Sequence, residues 1–216
     1  MNTLEASSAQ VTFQDTSRIE VRANTLIIIY GGTSTTARAS TGNATLDRGT
    51  LRTHLGSLRM RVDTPTSRAE LQGGSAVIST DDVGSRVSSH EGTVARVRST
   101  TVRGAAVRVR PGFGSVVRSG QAPTAPRPLP PAPVLAAGSA TTFVAVGSTG
   151  ATLEGGWAPV AGAAKYHVEV LRDEAPPAIV AAVDVDAAVL RYEVRGLPPG
   201  AYHVTLGTID ADGLES

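Results

Sequence analysis

The sequence predicts an all-β protein built from two domains. Three observations carry that expectation. Short segments alternate apolar and polar residues, Val, Ile and Thr dominate them, and turn residues recur about every 8–12 positions. No stretch of residues 1–121 keeps a 3.6-residue apolar repeat over three turns, so no helix is expected there. Residues 122–133, APTAPRPLPPAP, hold six of the chain's 13 prolines. Proline fixes φ and lacks an N–H, so this stretch can be neither helix nor central strand. It reads as a polyproline II linker, and at ~3.1 Å per residue it reaches at most about 37 Å. Residues 1–121 and 134–216 are then separate blocks, each long enough to bury a core.

Composition bounds the rest. Hydrophobic residues make up 41% of the 216 positions but aromatics only 4%, so the cores must be mostly aliphatic. There is no cysteine, which removes disulfides and thiolate metal sites. The net charge of +1 hides an asymmetry: residues 1–121 carry 15 Arg against 9 acids, whereas residues 134–216 carry 4 basic residues against 10 acids. The longest apolar run, Leu26 to Tyr30, is far short of the roughly 20 residues a membrane helix needs. Met1 is followed by small polar residues that do not form a signal peptide. A strand pattern begins within a dozen residues of it, so an N-terminally truncated start is expected.

In the first block the expected strands are VTFQ, RIEVRA and TLIIIY, then ATLDRGTLRTHL, LRMRVDT, SAVIST, RVSSH, TVARVRS, AAVRVR and SVVRS. Gly49-Thr50-Leu51, Gly92-Thr93-Val94 and Gly114-Ser115-Val116 each place a glycine before an alternating strand, where a tight corner needs its freedom. Stacked strands with glycine corners point to a β-solenoid or a rolled sandwich.

Several motifs in order resemble the FecR domain over about residues 5–121. They are Thr64-Pro65, Gly73-Gly74, Glu91-Gly92-Thr93-Val94, the glycine-rich close from Gly112 to Gly120, and the earlier Asp47 to Arg52. Gly73-Gly74-Ser75 departs from the family's usual Gly-Thr. The resemblance implies an extracytoplasmic β-rich interaction domain in the periplasm or cell envelope. Members of the family proper pass a receptor's ligand state across the inner membrane to a sigma factor, which needs a cytoplasmic segment and a membrane helix ahead of the domain. Related members with C-terminal β-sandwiches resemble envelope scaffolds.

The arginines are the chemical feature of this block. Arg59 and Arg61, Arg96 and Arg98, and Arg108 and Arg110 are i, i+2 pairs, each on one face of its strand and opposite the apolar residues. If those strands stack, the six form a basic ladder, a candidate site for a polyanion such as a lipopolysaccharide phosphate or a wall polymer. The plain account is a solvated face in a chain that uses 19 Arg and one Lys. Nucleic acid is the weakest ligand, because single-strand binders interleave aromatics with basic residues, and this block has only Phe13, Tyr30 and Phe113. Within the linker, Arg127 to Pro133 matches a polyproline-ligand pattern. A spacer is the expected role.

In the second block, a strand runs to Trp157, a turn spans Pro159 to Gly162, and an alternating strand covers Tyr166 to Leu171. AIVAAVDV, LRYEVRG and LPPGAYHVTLGTIDADG follow. Trp157, the inward Tyr166, Val168 and Val170, and the run from Leu197 to Tyr202 resemble a fibronectin type III domain over about residues 132–216. The resemblance implies a core Trp at 157 and a tyrosine corner at Tyr202. It also implies that the family's last strand is missing after DADGLES, leaving the strand through Tyr202 as an open edge. His167 and His203 each follow a core Tyr on neighbouring strands and are expected to face outward. Two histidines without a third ligand make a poor metal site, so both are expected at the surface.

No catalytic constellation is legible. Asp81-Asp82 reads as a turn that caps backbone N–H groups. Glu70 and Glu91 fall on expected strands with no visible partner. Ser88, Ser89, His90 and Glu91 are consecutive on a strand, so alternate faces keep them apart. No cofactor, metal ion or small-molecule substrate is expected. The first reading is a non-enzymatic envelope scaffold whose FecR-like domain binds an anionic polymer or an envelope protein, with the second domain as spacer. The alternative is a signal transducer that reads an outer-membrane receptor and regulates a sigma factor.

Overall fold

The alternating segments form strands, and the described residues contain no helix, hence none long and apolar enough to cross a membrane. A computed structural model of the chain describes residues 1–5, 7–30, 41–136, 139, 142–146, 150–174 and 177–216. The chain divides into two units: residues 1–129 with Asp212–Leu214, and residues 130–211 with Glu215–Ser216.

The first unit contains β1 (Ala9–Thr12), β2 (Arg18–Val21), β3 (Leu26–Tyr30), β4 (Thr41–Asp63), β5 (Ser67–Thr80), β6 (Gly84–Ser89), β7 (Val94–Ser99), β8 (Ala106–Val109), β9 (Phe113–Arg118) and β10 (Arg127–Pro128). They form one 10-stranded sheet that branches. Its path is β1-β2-β4-β5-β6-β9-β10, while β7 pairs with β5 and with β8, and β3 pairs with β4.

The branch arises because β4 is one strand of 23 residues, where the sequence reads two strands separated by Gly56-Ser57. Its register against β5 slips between Leu55 and Arg59. The slip does not end the strand, because its backbone is satisfied from elsewhere. The Asp15 carboxylate accepts from the Leu58 N–H (2.8 Å) and the Ser57 hydroxyl (3.2 Å), and the Ser17 hydroxyl oxygen accepts from the Gly56 N–H (2.9 Å). On β5 the bend falls at Gly73 and Gly74, both at φ +60°. A Cβ on Gly74 would come within 2.3 Å of the Glu91 carbonyl oxygen, so no side chain fits there. Beyond the bend, β4 and β5 continue into a second leaf with β7 and β8.

Residues of both leaves bury into one cluster: Leu51, Ile78 and Val117 from the first, and Met60, Leu71 and Val97 from the second. The Thr64-Pro65 turn closes over a buried hydroxyl group. Ser85 Oγ lies 2.7 Å from Thr64 Oγ1, 2.6 Å from Thr66 Oγ1 and 3.0 Å from Thr80 Oγ1, so each buried hydroxyl is partnered.

The first half of the proline-rich stretch does not stand free. The Thr124 and Leu129 N–H groups donate to the carbonyls of Val116 (2.9 Å) and Gly112 (2.9 Å). Arg127 and Pro128 pair with Gly114 and Phe113 of β9. Proline lacks an N–H but still accepts, so a two-residue edge strand is compatible with it. Of the expected glycine corners, Gly49 and Gly92 have positive φ. Gly114 instead lies within β9, where an added Cβ would meet the Leu129 side chain at 2.9 Å.

The second unit contains β11 (Thr142–Ala145), β12 (Ala151–Gly156), β13 (Ala163–Arg172), β14 (Ala178–Asp186), β15 (Arg191–Leu197) and β16 (Gly200–Asp210). One sheet has the order β11-β16-β13-β14, and a second pairs β12 with β15. The core is aromatic. Trp157 meets Tyr166 edge-on with centroids 5.1 Å apart and stacks with Tyr192 at 6.2 Å, while Phe143 stacks on Tyr202 at 5.3 Å. The buried Tyr202 hydroxyl donates to the Pro198 carbonyl at 2.7 Å, tying the start of β16 to the turn before it. The expected open edge beside Tyr202 is not observed. β11 lies there antiparallel, with Phe143 opposite Tyr202 and Thr142 opposite His203, so β16 is flanked on both sides.

Candidate functional site: a charged sheet face

In the second leaf of the first unit, strand alternation separates chemistry cleanly. Met60, Val62, Ala69, Leu71, Ala95 and Val97 point into the core. The intervening residues face outward. Register arranges these into rows. Arg59 lies opposite Gln72, and Gln72 opposite Val94. Arg61 lies opposite Glu70, Glu70 opposite Arg96, and Arg96 opposite Arg108. Asp63 lies opposite Arg68, Arg68 opposite Arg98, and Arg98 opposite Ala106.

The arginines singled out from sequence therefore share a face without forming an unbroken ladder. β5 runs between β4 and β7 and interposes Arg68, Glu70 and Gln72. Arg110 follows β8 and is exposed. Glu70 has neighbours that the sequence did not reveal: Arg61 and Arg96 flank it, and Arg98 Nη2 lies 3.9 Å from its Oε1. Asp63 pairs with both Arg61 (Nε 3.2 Å from Oδ2) and Arg68. That contact raises the Arg68 pKa above its ordinary value, through the hydrogen bond first and the charge second. Arg68 was missed from sequence, although the alternation of Arg68, Glu70 and Gln72 with Ala69 and Leu71 is its signal.

Neither Arg96 nor Arg108 makes an ion pair among the described residues, and none of the remaining residues is acidic. Like charges directly opposite each other on adjacent strands repel, by about 1 kcal/mol at 4 Å in water. A groove of about 620 Å³ runs beside them, lined by Glu70, Gln72, Val94, Arg96, Ala106, Val107 and Arg108. A smaller groove of about 290 Å³ on the same face is lined by Asn43, Arg59, Arg61, Glu70 and Gln72.

Other candidates resolve structurally. Asp81 Oδ1 accepts from the N–H groups of Val83 (2.9 Å) and Gly84 (3.1 Å), and Arg86 Nη1 lies 2.7 Å from its Oδ2. Burial alone would push the Asp81 carboxyl up, but the Arg86 bond, the two backbone bonds and the Arg86 charge together hold it below the usual range. Glu91 lies in the turn between β6 and β7 rather than on a strand.

His167 is buried, contrary to the surface position expected for it. It sits opposite Gly207 on β16, and the Glu215 side chain lies over Gly207. Its ring nitrogens contact Asp184 Oδ1 and Glu169 Oε1, the latter at 2.7 Å. His203 lies opposite Leu171, not opposite His167, and contacts Asp173. The two histidines therefore do not form a site together. Among the described residues, no group of three or more His, Asp or Glu side chains is placed to hold a metal ion.

Residues 1–95 match the model of the FecR protein family. Two crystal structures of a candidate anti-sigma factor from Parabacteroides distasonis ATCC 8503, at 1.65 Å and 2.50 Å resolution, are similar to the chain at 15% and 16% sequence identity. Both have a TM-score of 0.47, with 59% of this chain and 58% of theirs covered. The chain thus spans less than two thirds of those proteins. No curated protein matches it.

Proposed function

We propose that the protein is a FecR-type signal transducer acting in the cell envelope, and that its first unit works by binding another protein rather than by catalysis. The observation that carries this reading is the FecR family match over residues 1–95, which includes β1 to β6 and the whole of β4 and β5. It favours the transducer over the scaffold, which the resemblance to members with C-terminal β-sandwiches put first. The charged face of β4, β5, β7 and β8 is the candidate contact surface. Its mixed rows of Arg61, Glu70, Arg96 and Arg108 suit a protein with its own charge pattern better than a uniformly anionic polymer.

The second unit acts as a fibronectin type III-like spacer or docking module. The Trp157 core, the Tyr202–Pro198 corner and the arrangement of a four-stranded and a two-stranded sheet support that likeness. The test is deletion of the gene in its source organism with transcript profiling. A transducer changes a coherent set of sigma-dependent transcripts, restored by complementation. Unchanged transcripts with increased detergent sensitivity would return the scaffold reading.

A further inference from the structure

The outer side of β8 is an unused strand edge. β8 pairs with β7 and, among the described residues, with no second strand. Its backbone groups on that side are a template for another extended chain. Beside the edge lies the groove of about 620 Å³, lined by Val94, Ala106 and Val107, by Gln72 and Glu70, and by Arg96 and Arg108. Glu70 lies opposite Arg96, whereas Arg108 has no acidic residue opposite it and makes no ion pair among the described residues. Arg110, exposed, stands two residues beyond Arg108, about 7 Å further along an extended chain.

We propose that the β8 edge takes an extended acidic segment of a protein partner by strand addition, with carboxylates at alternate positions seated on Arg108 and Arg110. The identification rests on the reading of the first unit as a protein-binding transducer domain, and it names the partner's chemistry. Three features select this occupant. Arg108 opposes Arg96 and has no carboxylate opposite it, so a carboxylate brought to the β8 edge meets an uncompensated guanidinium whose fork donates two parallel bonds to it. The free edge offers hydrogen bonds that a peptide backbone can match in register and a phosphate polymer cannot. The arginines repel a second copy of the same edge, so strand addition is restricted to a segment of opposite charge.

The experiment is a fluorescence-anisotropy titration of the full chain with a short labelled peptide that alternates valine and glutamate. Three competitors run beside it: a peptide of the same composition with its glutamates in one block, the alternating peptide N-methylated on alternate amides, and inorganic polyphosphate. The alternating peptide is expected to bind saturably. The block peptide should be about tenfold weaker or worse, and N-methylation should abolish binding on one set of amides only, because one side of the peptide meets β8. Arg108→Ala/Arg110→Ala should weaken binding tenfold or more, whereas Arg191→Ala, in the second unit, should leave it unchanged. Absence of saturable binding overturns the proposal. So does binding that ignores N-methylation, or that polyphosphate competes away as well as peptide does, since charge alone then accounts for it. A negative result here, with sigma-dependent transcripts still altered by deletion, removes the β8 site and leaves the transducer reading standing. Peptide binding with unchanged transcripts does the reverse.

Discussion

The two units solve the same problem, closing a β core, with different materials. The first unit buries Val, Leu, Ile, Ala and Met and no fully buried aromatic; Tyr30 is half exposed and Phe113 lies at the surface. Its order is distributed over ten strands, a backbone bulge held by Asp15, and a hydroxyl group around Ser85. The second unit concentrates its core in Trp157, Tyr166, Tyr192 and Tyr202, packed in edge-on and stacked contacts. The difference teaches that similar strand patterns need not share energy in the same way. In the first unit no single side chain dominates, whereas in the second a few large ones do.

The sharpest way to break this comparison is to truncate the centre of each core. Trp157→Ala should cost about 3–5 kcal/mol, because the cavity also strips Tyr166 and Tyr192 of their ring contacts. Leu71→Ala should cost less, about 2–3 kcal/mol, because flexible Met60 lies directly opposite and can move into the gap. Denaturant unfolding gives the magnitudes, and hydrogen exchange assigns each loss to its unit. A Leu71→Ala loss equal to that of Trp157→Ala would show that the first core is as concentrated as the second.

Strand positions were legible because period-two alternation is local. β7, for instance, is readable from Val94, Ala95, Arg96 and Val97 alone. What escaped was long-range. Gly56-Ser57 reads as a turn, yet β4 runs through it because Asp15, some forty residues earlier, satisfies the bulge. The alternation placed His167 off the core face, yet it is buried there between Asp184 and Glu169, which no local pattern announces. The pairing of β11 with β16 is likewise a contact across some sixty residues. At the candidate site the arginines themselves were readable, and their rows were not. Whether Arg96 meets Glu70 or Arg108 is set by the register of β5, β7 and β8.

A subtler probe of the distributed core is the Asp15 clamp. Burial opposes ionisation of this carboxyl, but bonds from the Ser17 hydroxyl and N–H, the Leu58 N–H and the Ser57 hydroxyl outweigh it and lower the pKa. A group depressed in the folded state contributes stability that is present above its unfolded pKa, about 3.9, and is lost as pH falls through the folded value. Asp15→Asn should therefore cost about 1 kcal/mol near neutrality and should flatten the loss of stability below about pH 4. Thermal melts of the two proteins across that range check it. An unchanged acid limb would mean that other carboxylates govern the first unit at low pH.

The smallest effect sharpens the comparison most, because it separates charges that hold the first unit together from charges that do not. Asp63 has two arginine partners and Glu70 has one, so truncating either acid would leave arginines uncompensated. Arg108 faces Arg96 with no carboxylate opposite it, whereas Arg96 also has Glu70 opposite it, and both arginines are exposed. Removing Arg108 takes away a repulsion and no ion pair. Arg108→Ala should shift unfolding free energy by less than about 0.5 kcal/mol, and toward greater stability at low salt, where the repulsion is least screened. Denaturant melts at low and high ionic strength measure both the size and the sign. A clear destabilisation would make Arg108 part of the sheet's own cohesion. A neutral or stabilising result means that the fold has no use for its charge, and that its place on the β8 edge answers to something outside it.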